Sequence, residues 1–289
     1  MSRAVVLGGG GVAGVAWATG VAAGMARNGV DISQADAIVG TSAGSVVGVQ
    51  IASGISLEVL LAGQMLPASL SREMARQYSQ SEADALNRKL TEKVSGDIAA
   101  ARRRIGAYAQ RSETVPVEAR RKIIAARLPG ATWPARDVHV VAVDAQTGEH
   151  VVFHRHSGVA LVDAVAASCA VPGSWPVVPI NSRSYMDGGI RSLTNADLAP
   201  FAKSVLVIAP LGYADGNPVS GHLRAEVATL ESRGASVAIV VPDAASLEAM
   251  TDNVLDPSRC EPSANAGLAQ GLRIADDIAP AWHFWRTTT

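Results

Sequence analysis

Aromatic residues are scarce in this chain, at 4% of 289 residues, so Ala, Val, Leu and Ile must build the core. Cysteine is nearly absent. Cys169 and Cys260 supply neither a disulfide framework nor the spacing of a metal site, and a reducing, cytoplasmic setting is the expectation. Neither sign of charge dominates: 25 basic and 26 acidic residues leave a formal net charge of −1. A nucleic-acid partner usually demands a clear basic excess, so none is expected. No apolar run is long and pure enough to span a bilayer. What is present is ordinary for a globular protein with a sizeable core, with 48% hydrophobic and 18% charged residues.

Arg3 and the Ala-rich stretch after it imitate a signal peptide. Gly8 to Gly11 interrupt that stretch early, and a helical signal segment tolerates such a cluster poorly. These residues are therefore expected to belong to the mature fold. Residues 3–7 read as a buried parallel strand running into the glycines, and 12–28 as a helix stopped near Asn28-Gly29. Residues 36–39 form a second strand signal and 45–53 a second helix. This βαβα opening predicts an α/β fold, a three-layer α/β/α sandwich with a mostly parallel central sheet.

From 56 to 128 there is no convincing strand. Helical spacing around Leu57-Leu60-Leu61, Leu86-Leu90 and Ile123-Ile124-Leu128 predicts a helical, cap-like insertion within a single domain spanning 1–289, because no linker sets it apart. Strand signals return at 138–143, 150–153, 183–186, 204–209 and 236–241. Further helices are expected at 159–170 and 262–279. A basic run, Arg102-Arg103-Arg104 with Arg111, Arg120, Arg121 and Lys122, reads as a solvated helix face or as a patch facing anionic lipid headgroups.

Two glycine clusters carry the chemistry. Gly9-Gly10-Gly11-Val12-Ala13-Gly14 fits the G-x-G-x-x-G dinucleotide fingerprint, and equally a loop of bare backbone N–H groups that holds an oxyanion. The fingerprint also expects an acidic residue after the second strand, where this chain has Gly40. Gly40-Thr41-Ser42-Ala43-Gly44 is a G-x-S-x-G motif between a strand and a helix, the setting of a nucleophile elbow. An α/β-hydrolase would place several strands before it, and here one precedes it. None of the histidines (His139, His150, His154, His156, His222 and His283) sits in a motif that marks it as catalytic. Asp187-Gly188-Gly189, taken alone, is a turn signal.

The three clusters in this order resemble the patatin-like phospholipase family: a glycine-rich loop G-G-G-x-[KR]-G, then G-x-S-x-G, then D-G-G or D-G-A. The small-residue approach Ala167-Ser168-Cys169-Ala170-Val171-Pro172-Gly173 resembles that family as well. Each motif is weak alone and the ordered set is strong. The resemblance runs from residue 4 to about 197 and covers 56–128 only loosely. It departs at Ala13, where the family usually carries Lys or Arg.

The resemblance implies a patatin-like fold and a serine acyl hydrolase acting on phospholipids or related lipids through a Ser42–Asp187 dyad. Backbone N–H groups of Gly9, Gly10 and Gly11 would form the oxyanion hole. It implies no metal and no organic cofactor, a lipid ester as partner, and at most peripheral contact with a membrane. Asp144, Asp163 and Asp197 are rivals for the base, with Asp144 first among them because it lies just past an apolar strand. Two further readings stand beside it: a non-catalytic member of the fold that binds lipid or a partner, for which Ala13 is the one hint, and a Rossmann-type dinucleotide-binding protein.

Overall fold

The strands nearest the centre are apolar on both faces because both faces are covered. A computed structural model describes residues 2–283 except 71–72, 201, 218 and 220–221, with the side chain of Ala68 also outside the description. In it β1 (Arg3–Leu7) sends Val5 and Leu7 into one hydrophobic cluster and Ala4 and Val6 into another. The same alternation splits β2 (Ala37–Thr41), with Ile38 on the first side and Val39 on the second. Continuous Val/Ile runs are what a doubly covered parallel sheet requires.

The chain continues from β1 into α1 (Gly11–Arg27), and from β2 into α2 (Ala43–Ala52). Next come α3 (Leu57–Gln64), α4 (Gln80–Glu92), α5 (Ile98–Arg111) and α6 (Val117–Arg127). Strands β3 (Asp137–Asp144) and β4 (His150–Phe153) precede α7 (Leu161–Ser168). Then follow β5 (Val178–Ile180), β6 (Arg183–Asp187) and β7 (Ser204–Ile208). The remainder is α8 (Leu223–Ser232), β8 (Ser236–Val240), α9 (Ala244–Met250) and α10 (Cys260–Trp282).

One sheet joins all eight strands in the order β5-β6-β3-β2-β1-β7-β8, with β4 paired to β3. The run β3-β2-β1-β7-β8 is parallel, β4 and β6 each pair antiparallel with β3, and β5 pairs antiparallel with β6. Helices α1, α2, α3, α6, α7 and α10 bury side chains in the cluster on one face. On the other, α8 and the turn at 196–198 cover the sheet, and α5 packs Ala101 and Ile105 against Val143 and Met186. This is the expected α/β/α sandwich with a mostly parallel sheet. Sequence order reverses across β1, whose neighbours are β2 and β7, and a crevice at the carboxyl ends of such strands is where open α/β sheets take their ligands.

Helices α1 and α10 touch backbone to backbone. A Cβ at Gly20 would fall on the Ala264 carbonyl, and one at Gly267 on the Trp17 carbonyl. Small residues on both helices therefore set how closely they approach.

Three elements differ from the sequence expectation by being additional. Strand β5 is three residues long, contains Pro179 and sits at the sheet edge, the place where a strand accommodates proline. Helices α8 and α9 are short. The basic run is corrected too: Arg103, Arg104, Arg111 and Lys122 are exposed, but Arg120 is buried, and Arg102 donates to the carbonyls of Arg191 and Val219. It is neither one solvated face nor one lipid-facing patch. Among the described residues, no helix is long and apolar enough to cross a membrane.

Candidate active site

Strand register brings the second and third motifs together. Thr41 pairs with Val141, and the next residue of β3, Ala142, pairs with Asp187 at the end of β6. Ser42 and Asp187 thus leave their strands at the same edge of the sheet. Gly9, Gly10 and Gly11, at the carboxyl end of β1, line the same cleft as both.

Ser42 sits on the turn between β2 and α2 with φ 50° and ψ −117°. A non-glycine residue held there stores strain, as nucleophile elbows do. The turn closes because its flanks are bare: a Cβ at Gly44 would fall on the Leu7 carbonyl. Ser168 holds the serine's backbone in place. Its Oγ accepts the Ser42 N–H at 2.8 Å and donates to the Val141 carbonyl at 2.6 Å. The Ser42 side chain points into the cleft, with the residue only 6% exposed, and the positive end of the α2 dipole lies behind it.

Asp187 is 5% exposed. Its Oδ1 accepts the Gly189 N–H at 2.8 Å, while Oδ2 has no hydrogen-bond partner among the described residues. Burial pushes the pKa of its carboxyl up to about 6, against the Gly189 N–H, the nearby Ser42 hydroxyl and the more remote charge of Arg120, which favour the ionised form. Ser42 thus lies near Asp187 without a hydrogen bond to Oδ2.

The glycine loop departs from expectation at one position. The Gly9 N–H donates to the Leu193 carbonyl at 2.8 Å, so it is already committed. The N–H groups of Gly10 and Gly11 have no acceptor among the described residues. The donor set therefore shrinks from three glycines to two.

The rival carboxylates lie away from the cleft. Asp144 Oδ1 accepts the N–H groups of Gln146 and Thr147, and Oδ2 pairs with Arg183 at 2.6 Å. Burial alone would raise its pKa, yet these partners hold it below the ordinary range. Asp163 pairs with Arg121 at 2.6 Å, and Asp197 with Arg191 at 2.6 Å. None of the six histidines lines the cleft.

Sequence reasoning passed over several residues that complete the site. Asn195, in a left-handed conformation that Asn tolerates, donates to Thr41 Oγ1, the Gly188 carbonyl and the Ser192 carbonyl. Tyr78 lines the cleft and donates to Gln80 Oε1 at 2.9 Å. Burial, followed by the charges of Asp187, Asp84 and Asp252, keeps its phenol protonated. The cleft encloses about 90 Å³, and its far wall is formed by Ala83, Leu86, Ile105 and Tyr108 of α4 and α5. Among the described residues no cluster of His, Cys, Asp and Glu is arranged to hold a metal.

A family model described as patatin-like phospholipase matches residues 5–200. No curated protein matches the chain. Among solved structures, VipD from Legionella pneumophila aligns at 11% identity and a TM-score of 0.47, over 96% of this chain and 67% of that one. The type III effector protein ExoU aligns at 15% identity and a TM-score of 0.39, over 95% of this chain and 53% of that one, so this chain spans about half its length. The family match covers both glycine clusters and Asp187-Gly188-Gly189, and the chain belongs to the patatin-like phospholipase family, a family of lipid acyl hydrolases.

Proposed function

We propose that this protein is a serine acyl hydrolase that cleaves fatty-acyl ester bonds of phospholipids or related lipids, with Ser42 as nucleophile and Asp187 as its base. The observation that carries this reading is the buried, unpartnered Asp187 Oδ2 beside a serine on a strained elbow. A base needs a vacant lone pair directed at the proton it takes, and a pKa near working pH, and Asp187 has both.

In the first step the Ser42 Oγ bonds to the acyl carbon and its proton passes to Asp187 Oδ2. The carbonyl π electrons move onto oxygen, and the oxyanion is met by the N–H groups of Gly10 and Gly11. Collapse reforms the carbonyl and breaks the ester C–O bond, and the leaving alkoxide takes the proton from Asp187. Water then repeats the sequence: it yields its proton to Asp187 as it attacks the acyl-enzyme, and Ser42 recovers that proton on release of the fatty acid. The Asp187 carboxylate is regenerated in each half-reaction.

On this reading α4 and α5 are a cap over the nucleophile within a single domain, and their apolar wall receives the acyl chain. Leu86 and Tyr108 line the cleft and are also part-exposed, so they are the residues that meet a lipid surface during peripheral contact. The setting consistent with two free cysteines is cytoplasmic.

The test is covalent labelling with a fluorophosphonate, read by intact mass for the parent and for Ser42→Ala. Labelling of the parent alone is expected. Equal labelling of both overturns the assignment of Ser42. Labelling of neither favours the non-catalytic lipid-binding reading.

A further inference from the structure

Arg120 is a charged group buried without a matching carboxylate among the described residues. It lies on α6, is 4% exposed, and neither Nε nor Nη1 has a hydrogen-bond partner among the described residues. Its guanidinium stacks on the Trp175 ring, 3.7 Å from the centroid. Two more cations stand close. Arg76 lies 5.0 Å from the same ring and donates to the Ser174 carbonyl, and Arg127 pairs with Glu73. Arg127 is thus matched by a carboxylate and Arg120 is not. Burial, and then the charge of Arg127, lowers the Arg120 pKa to about 9, so it stays a cation at neutral pH. A buried unpaired charge is costly and calls for an explanation.

Its surroundings supply one. Arg120 lines a small cavity with Gly11, Val12, Ser42, Ala43 and Cys169. This cavity holds about 10 Å³, room for roughly one water-sized atom. Ser42 and, from the glycine loop, Gly11 line it, whereas Asp187 and the residues of α4 and α5 do not. A phosphate group does not fit in that space, but a single oxygen does.

We propose that the Arg120 guanidinium stabilises the oxyanion formed when Ser42 attacks an acyl carbonyl. The inference rests on the acyl-hydrolase reading above. In the attack one negative charge leaves Asp187, which is protonated, and appears on the substrate oxygen. Arg120 acts on the Asp187 charge only remotely and shares a cavity with Ser42 and Gly11, so it gains attraction as the charge moves toward them, which is the condition for lowering a barrier. Ala13 gives the glycine loop no side-chain cation, and Arg120 brings one from α6.

The experiment compares the parent with Arg120→Met, Arg120→Lys and the control Arg121→Gln, using a neutral water-soluble acyl ester and a phospholipid in mixed micelles, with melting temperatures measured in parallel. Arg120→Met is expected to lower kcat on both substrates on the order of 100-fold, with KM nearly unchanged, the melting temperature equal or higher, and partial recovery in Arg120→Lys. A kcat within about threefold of the parent overturns the proposal. A KM effect confined to the phospholipid overturns it in favour of a headgroup phosphate contact. A lower melting temperature accompanying the lost turnover assigns Arg120 to scaffolding and also overturns it. If the parent turns over neither ester, the acyl-hydrolase reading fails, and fluoride, a single-atom anion of the size the cavity admits, then tests the cation alone. A rise in melting temperature present in the parent and absent in Arg120→Met keeps the anion site, and no rise discards it.

Discussion

The side-chain amide of Asn195 donates to Thr41 Oγ1 at 3.0 Å and to the Gly188 carbonyl at 3.2 Å, so one group ties the residue before Ser42 to the residue after Asp187. The two halves of the proposed dyad come from strands far apart in sequence, and this amide is a direct side-chain tie between their ends. Replacing it with Asp keeps the shape and removes both donors. Asn195→Asp is expected to cost about 1–3 kcal/mol of stability and to lower kcat roughly tenfold or more, since small errors of position are expensive in catalysis. Urea unfolding and steady-state kinetics on one ester measure the two effects. An unchanged kcat would show that the dyad is positioned without it.

Turnover should fall on acidification. On the proposed reading Asp187 is the base and works only when ionised, and burial raises its pKa to about 6. The profile of kcat/KM against pH is expected to show an acidic limb near that value, with activity at pH 5 roughly a tenth of the plateau. A profile flat from pH 5 to 8 would exclude Asp187 as the base.

The raised pKa also costs stability. In the unfolded chain the carboxyl ionises near 3.8, and in the folded chain near 6, so between those values the folded state binds the extra proton. Stability contributed by the group is complete below about pH 4 and is lost as pH rises through 6. The gap between the two values corresponds to about 3 kcal/mol. Asp187→Asn should therefore be inactive yet more stable than the parent at pH 8, with the difference closing as pH falls towards 4. Denaturant midpoints at several pH values test this, and a variant less stable at pH 8 contradicts it.

Filling the cleft should discriminate by chain length. Ala83 on α4 faces the cavity above Ser42. Ala83→Trp is expected to raise KM for long-chain esters at least tenfold while leaving acetyl and butyryl esters near parent values, because the blocked volume is needed only by the longer chain. A uniform loss across chain lengths would place the acyl path elsewhere.

Much of this was legible in the sequence for a definite reason. Motifs that need bare backbone, at 9–11, 40–44 and 187–189, leave glycines that cannot be disguised, and a doubly covered parallel sheet leaves unbroken apolar runs such as Val5–Leu7 and Val205–Ile208. Other features lay outside local pattern. Gly9 reads like its neighbours, and only the loop ending at Leu193 shows that its N–H is spent. Ser168 and Asn195 are small polar residues whose importance is set by partners more than a hundred residues distant. Arg120 sat within a basic run that reads as surface, and its burial depends on how α6 packs near Trp175. Asp144 looked favourable at a strand end, and lost that standing to Arg183 from another strand.

The close fit of α1 with α10 has a temporal meaning. The glycine loop opens α1, and α1 is braced by residues made long after it; the Ala13 N–H also reaches forward, to the Val254 carbonyl at 3.1 Å. A nascent chain that has emerged through Asp187 carries the proposed nucleophile, the proposed base and the loop, yet lacks the helix against which α1 is packed. Lipolysis, on the reading proposed here, is withheld until synthesis has passed α10. Proteolytic removal of that helix would then silence the finished protein while leaving every residue of the dyad in place.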